Sequence, residues 1–183
     1  TLKPKLAHFP DAVRTRTESL YKLLEADSAE KSARLEELLT TLPSGDVRRG
    51  QAVFQGSKAA CSACHAIGYL GGRVGPDLTR IAQIRSHRDL LEAIVFPSAS
   101  LVRSYEPVLI ATEDGKVLNG LIRQDNGQEL VLATGPNQEV RVPRDTIEEM
   151  QQSSVSIMPA GLDKQLSPQQ LADLLEFLIV TTK

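Results

Sequence analysis

Cys61-Ser62-Ala63-Cys64-His65 contains both cysteines of the chain, and the fold is read outward from these five residues. Cys-x-x-Cys-His is the attachment signature of a c-type haem. Each thiol can add across one vinyl group of the porphyrin, and the adjacent imidazole is placed to take an axial position on the iron. Other uses of the pattern fare worse. A structural zinc site needs four Cys or His ligands, and beyond the motif only His8 and His87 remain, neither at finger-like spacing. A thioredoxin-type dithiol would follow a strand in a βαβ unit, whereas Asp46-Val47-Arg48-Arg49-Gly50-Gln51-Ala52-Val53-Phe54 reads as a short helix. A disulfide between cysteines three apart would close almost no loop.

Around the motif the chain reads as helix and turn. Gly50 and Phe54, four apart, share one face of the preceding helix. After the motif, Gly71-Gly72-Arg73-Val74-Gly75-Pro76-Asp77-Leu78 is too rich in turn residues to be helical. Ser86 opens a helix through Leu90, Leu91, Ala93, Ile94 and Val95 that Pro97 closes, with His87 in a capping or surface position. Ser167 is an N-cap with Pro168 at the first helical position and Gln170 completing a capping box. The final helix lines up Leu171, Leu174, Leu175 and Leu178, a stripe that the Gly50/Phe54 face is suited to bury.

Between these helical halves the pattern changes. Apolar runs alternate with the turn signals Glu113-Asp114-Gly115, Asp125-Asn126-Gly127 and Thr134-Gly135-Pro136-Asn137. Asp-Gly and Asn-Gly in this context mark hairpins. Four strands are predicted near 106–112, 116–123, 129–134 and 138–142, with a weaker signal for a fifth near 146–150. Residues 105–149 therefore read as an antiparallel β insertion, because helical sequence resumes after them. Before the motif, residues 11–42 read as two amphipathic helices, one striped by Val13, Leu20, Leu23 and Leu24, the other by Ala33, Leu35, Leu38, Leu39 and Leu42. The expected division is residues 1–43 as a helical arm, or the end of a preceding domain, and 44–183 as the haem domain. Thr1 in place of an initiator methionine points to a processed form or an excised domain.

Composition adds bounds. The 183 residues are 41% hydrophobic and 24% charged with net charge −2, and no apolar run approaches the roughly 18 residues of a membrane span. Charge is uneven: residues 47–103 carry eight Lys/Arg against three Asp/Glu, and residues 104–183 carry six against twelve. Solvated faces explain such an imbalance. A steering role toward an acidic partner, or a balance of haem propionates, would fall to Arg73, Arg80, Arg85 or Arg88.

An iron held by His65 alone keeps one axial position open. Met158, in the irregular loop Ser156-Ile157-Met158-Pro159-Ala160-Gly161-Leu162, is the favoured second ligand. Met150 ends the strand-like Ile147-Glu148-Glu149-Met150 and is the alternative, or a core filler. His8 ranks above neither. The Pro76 carbonyl is the candidate acceptor for the free N–H of His65. His/Met ligation raises the reduction potential and fills both axial sites, which points to one-electron transfer over oxygen or peroxide chemistry.

The run from Gly45 to Phe54, then CSACH, then Val74-Gly75-Pro76-Asp77-Leu78, resembles a class I cytochrome c. The β segment and the ending SIMPAGL…LSPQQLADLLEFL are similar to the haem-binding domain of planctomycete and verrucomicrobial periplasmic proteins, over about residues 44–180. The resemblance implies a mainly α cytochrome c fold, α+β overall, with the β insertion between the haem-attachment half and the methionine-ligand loop. It implies one covalent haem c anchored by Cys61 and Cys64, His65 and Met158 as axial ligands, and Pro76 as support for His65. It also implies a periplasmic or otherwise extracytoplasmic location, where c-type haem is installed, and electron exchange with a fused or partner dehydrogenase or oxidase. A haem enzyme or gas sensor with a displaceable distal ligand is a second reading. A third makes the β insertion a protein- or polysaccharide-binding module with the haem accessory; a lid over the haem edge would explain the insertion equally well.

Overall fold

The computed structural model describes residues 11–182. The chain divides into two compact units, Thr1–Thr41 and Leu42–Lys183. Within the first, α1 runs unbroken over Asp11–Thr41, where the sequence reading expected two helices. The joint between the two stripes, Ala26-Asp27-Ser28-Ala29, contains neither glycine nor proline, so nothing stops propagation. An i,i+4 ion pair between Lys31 and Asp27 at 2.6 Å spans the joint. Leu20, Leu23 and Leu24 are exposed.

In the second unit, α2 (Val47–Gln55) is capped by Asp46, whose side chain accepts the Arg49 N–H. The motif itself forms a one-turn helix, α3 (Cys61–Cys64). A two-stranded hairpin follows, β1 (Ala66–Ile67) with β2 (Leu70–Gly71). Then α4 (His87–Val95) starts on a capping box of Ser86 and Asp89. His87 is its exposed first residue.

Five strands come next: β3 (Val108–Thr112), β4 (Val117–Asp125), β5 (Glu129–Gly135), β6 (Gln138–Pro143) and β7 (Ile147–Gln152). All neighbours pair antiparallel, in the order β6-β5-β4-β3-β7. The turns use Gly115 and Gly127 at φ +78° and +82°, backbone that L side chains rarely adopt. Ile110, Leu130, Leu132 and Val142 form a core inside this sheet.

After the sheet come α5 (Leu162–Gln165) and α6 (Pro168–Thr181). The α6 start is the expected box of Ser167 and Gln170 with Pro168 in the first turn. Leu171, Leu174, Leu175, Phe177 and Leu178 are buried along it. Helix α6 crosses α2 closely: a Cβ on Gly50 would lie 1.9 Å from the Asp173 carbonyl oxygen. Phe54 and Phe177 sit with ring centroids 5.5 Å apart, tilted by 48°. The crossing also has a polar fastening. Asp173, 2% exposed, accepts the Asp46 N–H at 2.8 Å, Arg49 Nε at 2.7 Å and Gln169 Nε2 at 2.9 Å.

Candidate haem-binding cleft

Short-range hydrogen bonding folds the residues after the motif back onto it. The N–H groups of Gly72, Gly75 and Leu78 donate to the carbonyls of Ser62, Cys64 and Ala66, each at 2.8 Å. Glycine makes this approach feasible. A Cβ on Gly72 would meet the Ala63 oxygen at 2.0 Å, and one on Gly71 the His65 oxygen at 2.2 Å. The loop so placed carries Pro76, whose carbonyl lies 2.8 Å from His65 Nδ1. Nδ1–H donation to that carbonyl leaves Nε2 with its lone pair free, the tautomer that ligates a metal. Burial lowers the His65 pKa, with the Pro76 hydrogen bond opposing.

Cys61, Cys64, His65, Pro76 and Met158 line one cleft. Its walls are mostly apolar and include Leu78, Leu90, Phe96 and Leu101. The two thiols are free. Burial pushes the Cys61 thiol up to about 11, with Cys64 adding to the rise and a backbone hydrogen bond opposing it. Burial raises Cys64 too. Both are protonated at neutral pH, unlike the activated thiolate of a dithiol oxidoreductase.

Met158 belongs to a loop pinned by its own serines. Its N–H donates to Ser156 Oγ at 3.1 Å, and the Ser156 N–H donates to Ser98 Oγ at 3.0 Å. Met150 pairs with Ile110 in the β3–β7 ladder and is 42% exposed; it is not among the cleft residues. His8 lies outside the described residues. Of the arginines singled out by charge, Arg85 lines the cleft.

The donor set decides which group fits. Among the described residues no three His, Cys, Asp or Glu side chains converge to hold a bare metal ion. The two thiols and the imidazole are at most three of the four ligands that structural zinc needs, whereas His65 and Met158 make an imidazole–thioether pair. They are the complement needed by an iron whose other four ligands are porphyrin nitrogens. Two unpaired thiols three residues apart, in an apolar slot beside the imidazole, complete the fit to haem c.

Three contributors escaped the sequence reading. Leu121 and Gly135, from β4 and β5, form part of the cleft wall. Gly75 packs its Cα against the His65 ring, where a Cβ would lie 2.5 Å from Cε1. Turn content predicted a loop there, and nothing local announced the ring contact.

No protein-family model matches the chain. It is 35% identical over 63 residues to a "Cytochrome c-553-like" protein of Synechocystis sp. (strain ATCC 27184 / PCC 6803 / Kazusa). The alignment covers 34% of this chain and 56% of that protein, so the chain spans about half the length of the curated relative it matches. Set beside the cleft, this similarity supports a c-type cytochrome.

Proposed function

We propose that this protein is a monohaem electron carrier of the extracytoplasmic space. Cys61 and Cys64 would anchor one haem c through thioethers, and His65 and Met158 would hold its iron. A haem held in this way would supply one-electron transfer chemistry. The observation that carries the reading is the convergence of both thiols, the imidazole and the thioether on one apolar cleft.

Each residue has a task in that scheme. The Pro76 carbonyl fixes the orientation and tautomer of His65. Leu78, Leu90, Phe96 and Leu101 give the cleft an apolar wall, which would shield a bound haem from water and favour a raised potential. With His65 and Met158 both engaged, a bound haem would offer substrates no free coordination site, so the reading is a carrier and not an enzyme. Redox exchange with a dehydrogenase or oxidase, fused or separate, completes the proposal. No helix among the described residues is long and apolar enough to cross a membrane.

Optical spectra of the matured protein in both redox states test the ligands. The wild type should give a positive pyridine haemochrome, a weak methionine-to-iron charge-transfer band when ferric, and little carbon monoxide binding when ferrous. Met158→Ala should lose the band and bind carbon monoxide readily. Retention of the band would move the ligand to Met150, and ready carbon monoxide binding by the wild type would favour a gas-binding site. For the β segment, the cleft contacts of Leu121 and Gly135 favour a wall that shields the haem over a separate binding module.

A further inference from the structure

Three residues spaced by two along β4 meet the cleft or the loops that flank it. Leu121, the middle one, is 4% exposed and lines the cleft. On one side of it, Asn119 Nδ2 donates to the Val155 carbonyl at 3.1 Å, three residues before Met158. On the other side, the Arg123 guanidinium donates to the Arg73 carbonyl, three residues before Pro76, which holds His65. Asn119 Oδ1 is buried with no hydrogen-bond partner among the described residues, so the amide's hold on the loop runs through Nδ2.

The strand is irregular where this matters. Pairing passes from Ile122↔Leu132 to Gln124↔Val131, which leaves Arg123 as an extra residue outside the ladder. Such a bulge re-aims a side chain, and here the re-aimed guanidinium meets the loop beneath the motif. Strand β4 is itself held on both sides, by β3 and β5. The loops that it ties lie outside the ladder and are held by turn and side-chain bonds, such as Gly75 N–H to Cys64 and Met158 N–H to Ser156 Oγ. To these, Asn119 and Arg123 add a tie to the sheet.

We propose that Asn119 and Arg123 are positioning residues, tying the Met158 loop and the His65-supporting loop to one strand and so holding methionine ligation against displacement. The proposal rests on the His65/Met158 reading of the cleft. A loose distal loop lets Met158 leave and an external ligand enter. A loose proximal loop weakens the Pro76 contact that orients His65.

The test is an imidazole titration of the ferric holoprotein, followed by loss of the methionine charge-transfer band. Losing one side-chain hydrogen bond corresponds to roughly three- to tenfold in an equilibrium. Asn119→Leu should therefore raise imidazole affinity about tenfold, and Arg123→Ala, at the more exposed residue of the two, about threefold. Arg123→Lys, which keeps a donor, should return toward the wild-type value. Arg141→Ala, which breaks the Arg141–Glu129 pair of β6 and β5, should leave affinity unchanged.

Affinities within twofold of wild type in both Asn119→Leu and Arg123→Ala would overturn the brace while leaving the axial ligands standing. An equal rise in Arg141→Ala would also overturn it, because general softening of the sheet would then be the cause. If one variant fails to fold, the titration of the other decides. A wild-type ferric spectrum without the methionine band would remove the ligand reading and the brace together.

Discussion

The imidazole of His65 leaves no room for a side chain at position 75. A Cβ there would lie 2.5 Å from Cε1, 2.8 Å from Nδ1 and 2.9 Å from Nε2 of the ring. The backbone at Gly75 is not left-handed, so the demand is for space and not for conformational freedom. Relief would come from swinging the ring away from the Pro76 carbonyl, or from lifting the loop and breaking the Gly75 N–H bond to Cys64. Overpacking of this kind costs about 1–3 kcal/mol. Gly75→Ala should therefore lower both the melting temperature and the haem-to-protein ratio of matured protein, read by thermal melting and pyridine haemochrome. Unchanged values in both assays would show that the ring tolerates displacement. The proposed attachment residues are legible because their chemistry is written in five consecutive positions. Gly75 was legible only as a turn, because its reason is a ring ten residues back in the chain.

At the level of elements, the crossing of α2 and α6 is the contact that joins the two ends of the second unit. Alanine is ordinarily better than glycine in a helix by about 1 kcal/mol, but at Gly50 the 1.9 Å approach to the Asp173 carbonyl reverses that preference. Asp173 provides the polar half of the crossing. Its carboxyl is held below the ordinary range, first by the Arg49 guanidinium, then by Gln169 and the Asp46 N–H, with burial opposing. A depressed carboxylate contributes stability that is complete above its ordinary value of about 3.9 and lost as pH falls through the lower folded value. Asp173→Asn, close in shape and unable to ionise, should lower the melting temperature by roughly 5 °C at neutral pH. The gap to wild type should close on acidification below about pH 4. Melting curves across pH check this, and a gap that persists in acid would assign the loss to shape. The boxes at Ser86 and Ser167 and the hairpin glycines were readable because each is complete within a few residues. The ties of Asn119 and Arg123 were not, because their acceptors are main-chain carbonyls, which every residue carries. The continuity of α1 depended on the absence of a breaker at Asp27-Ser28, a weaker signal than the shift in stripe that suggested two helices.

Across the whole second unit, two cores of different kinds coexist. The sheet closes on its own apolar residues: Ile110, Leu130 and Leu132 are 0% exposed and belong to a cluster built wholly from strand residues and their neighbours. The segments around the motif and Met158 instead turn apolar side chains such as Leu78, Leu90 and Ile157 toward the cleft. A bound group that fills the cleft supplies the packing partner for those side chains, and binding to the folded state adds to its stability. Without that group the same surface faces water, and the local stability of its loops falls first. The Cys61→Ser/Cys64→Ser protein, prepared without haem, should therefore come apart unevenly. Amides of β4 and β5 should keep their protection in hydrogen exchange, while those of residues 61–78 and 153–162 should exchange faster by about tenfold or more than in the matured protein. Equal loss of protection in the sheet would show that the two cores stand or fall together. Unchanged protection around the motif would show that the cleft is rigid before anything occupies it, with the bracing strand sufficient to hold both loops alone.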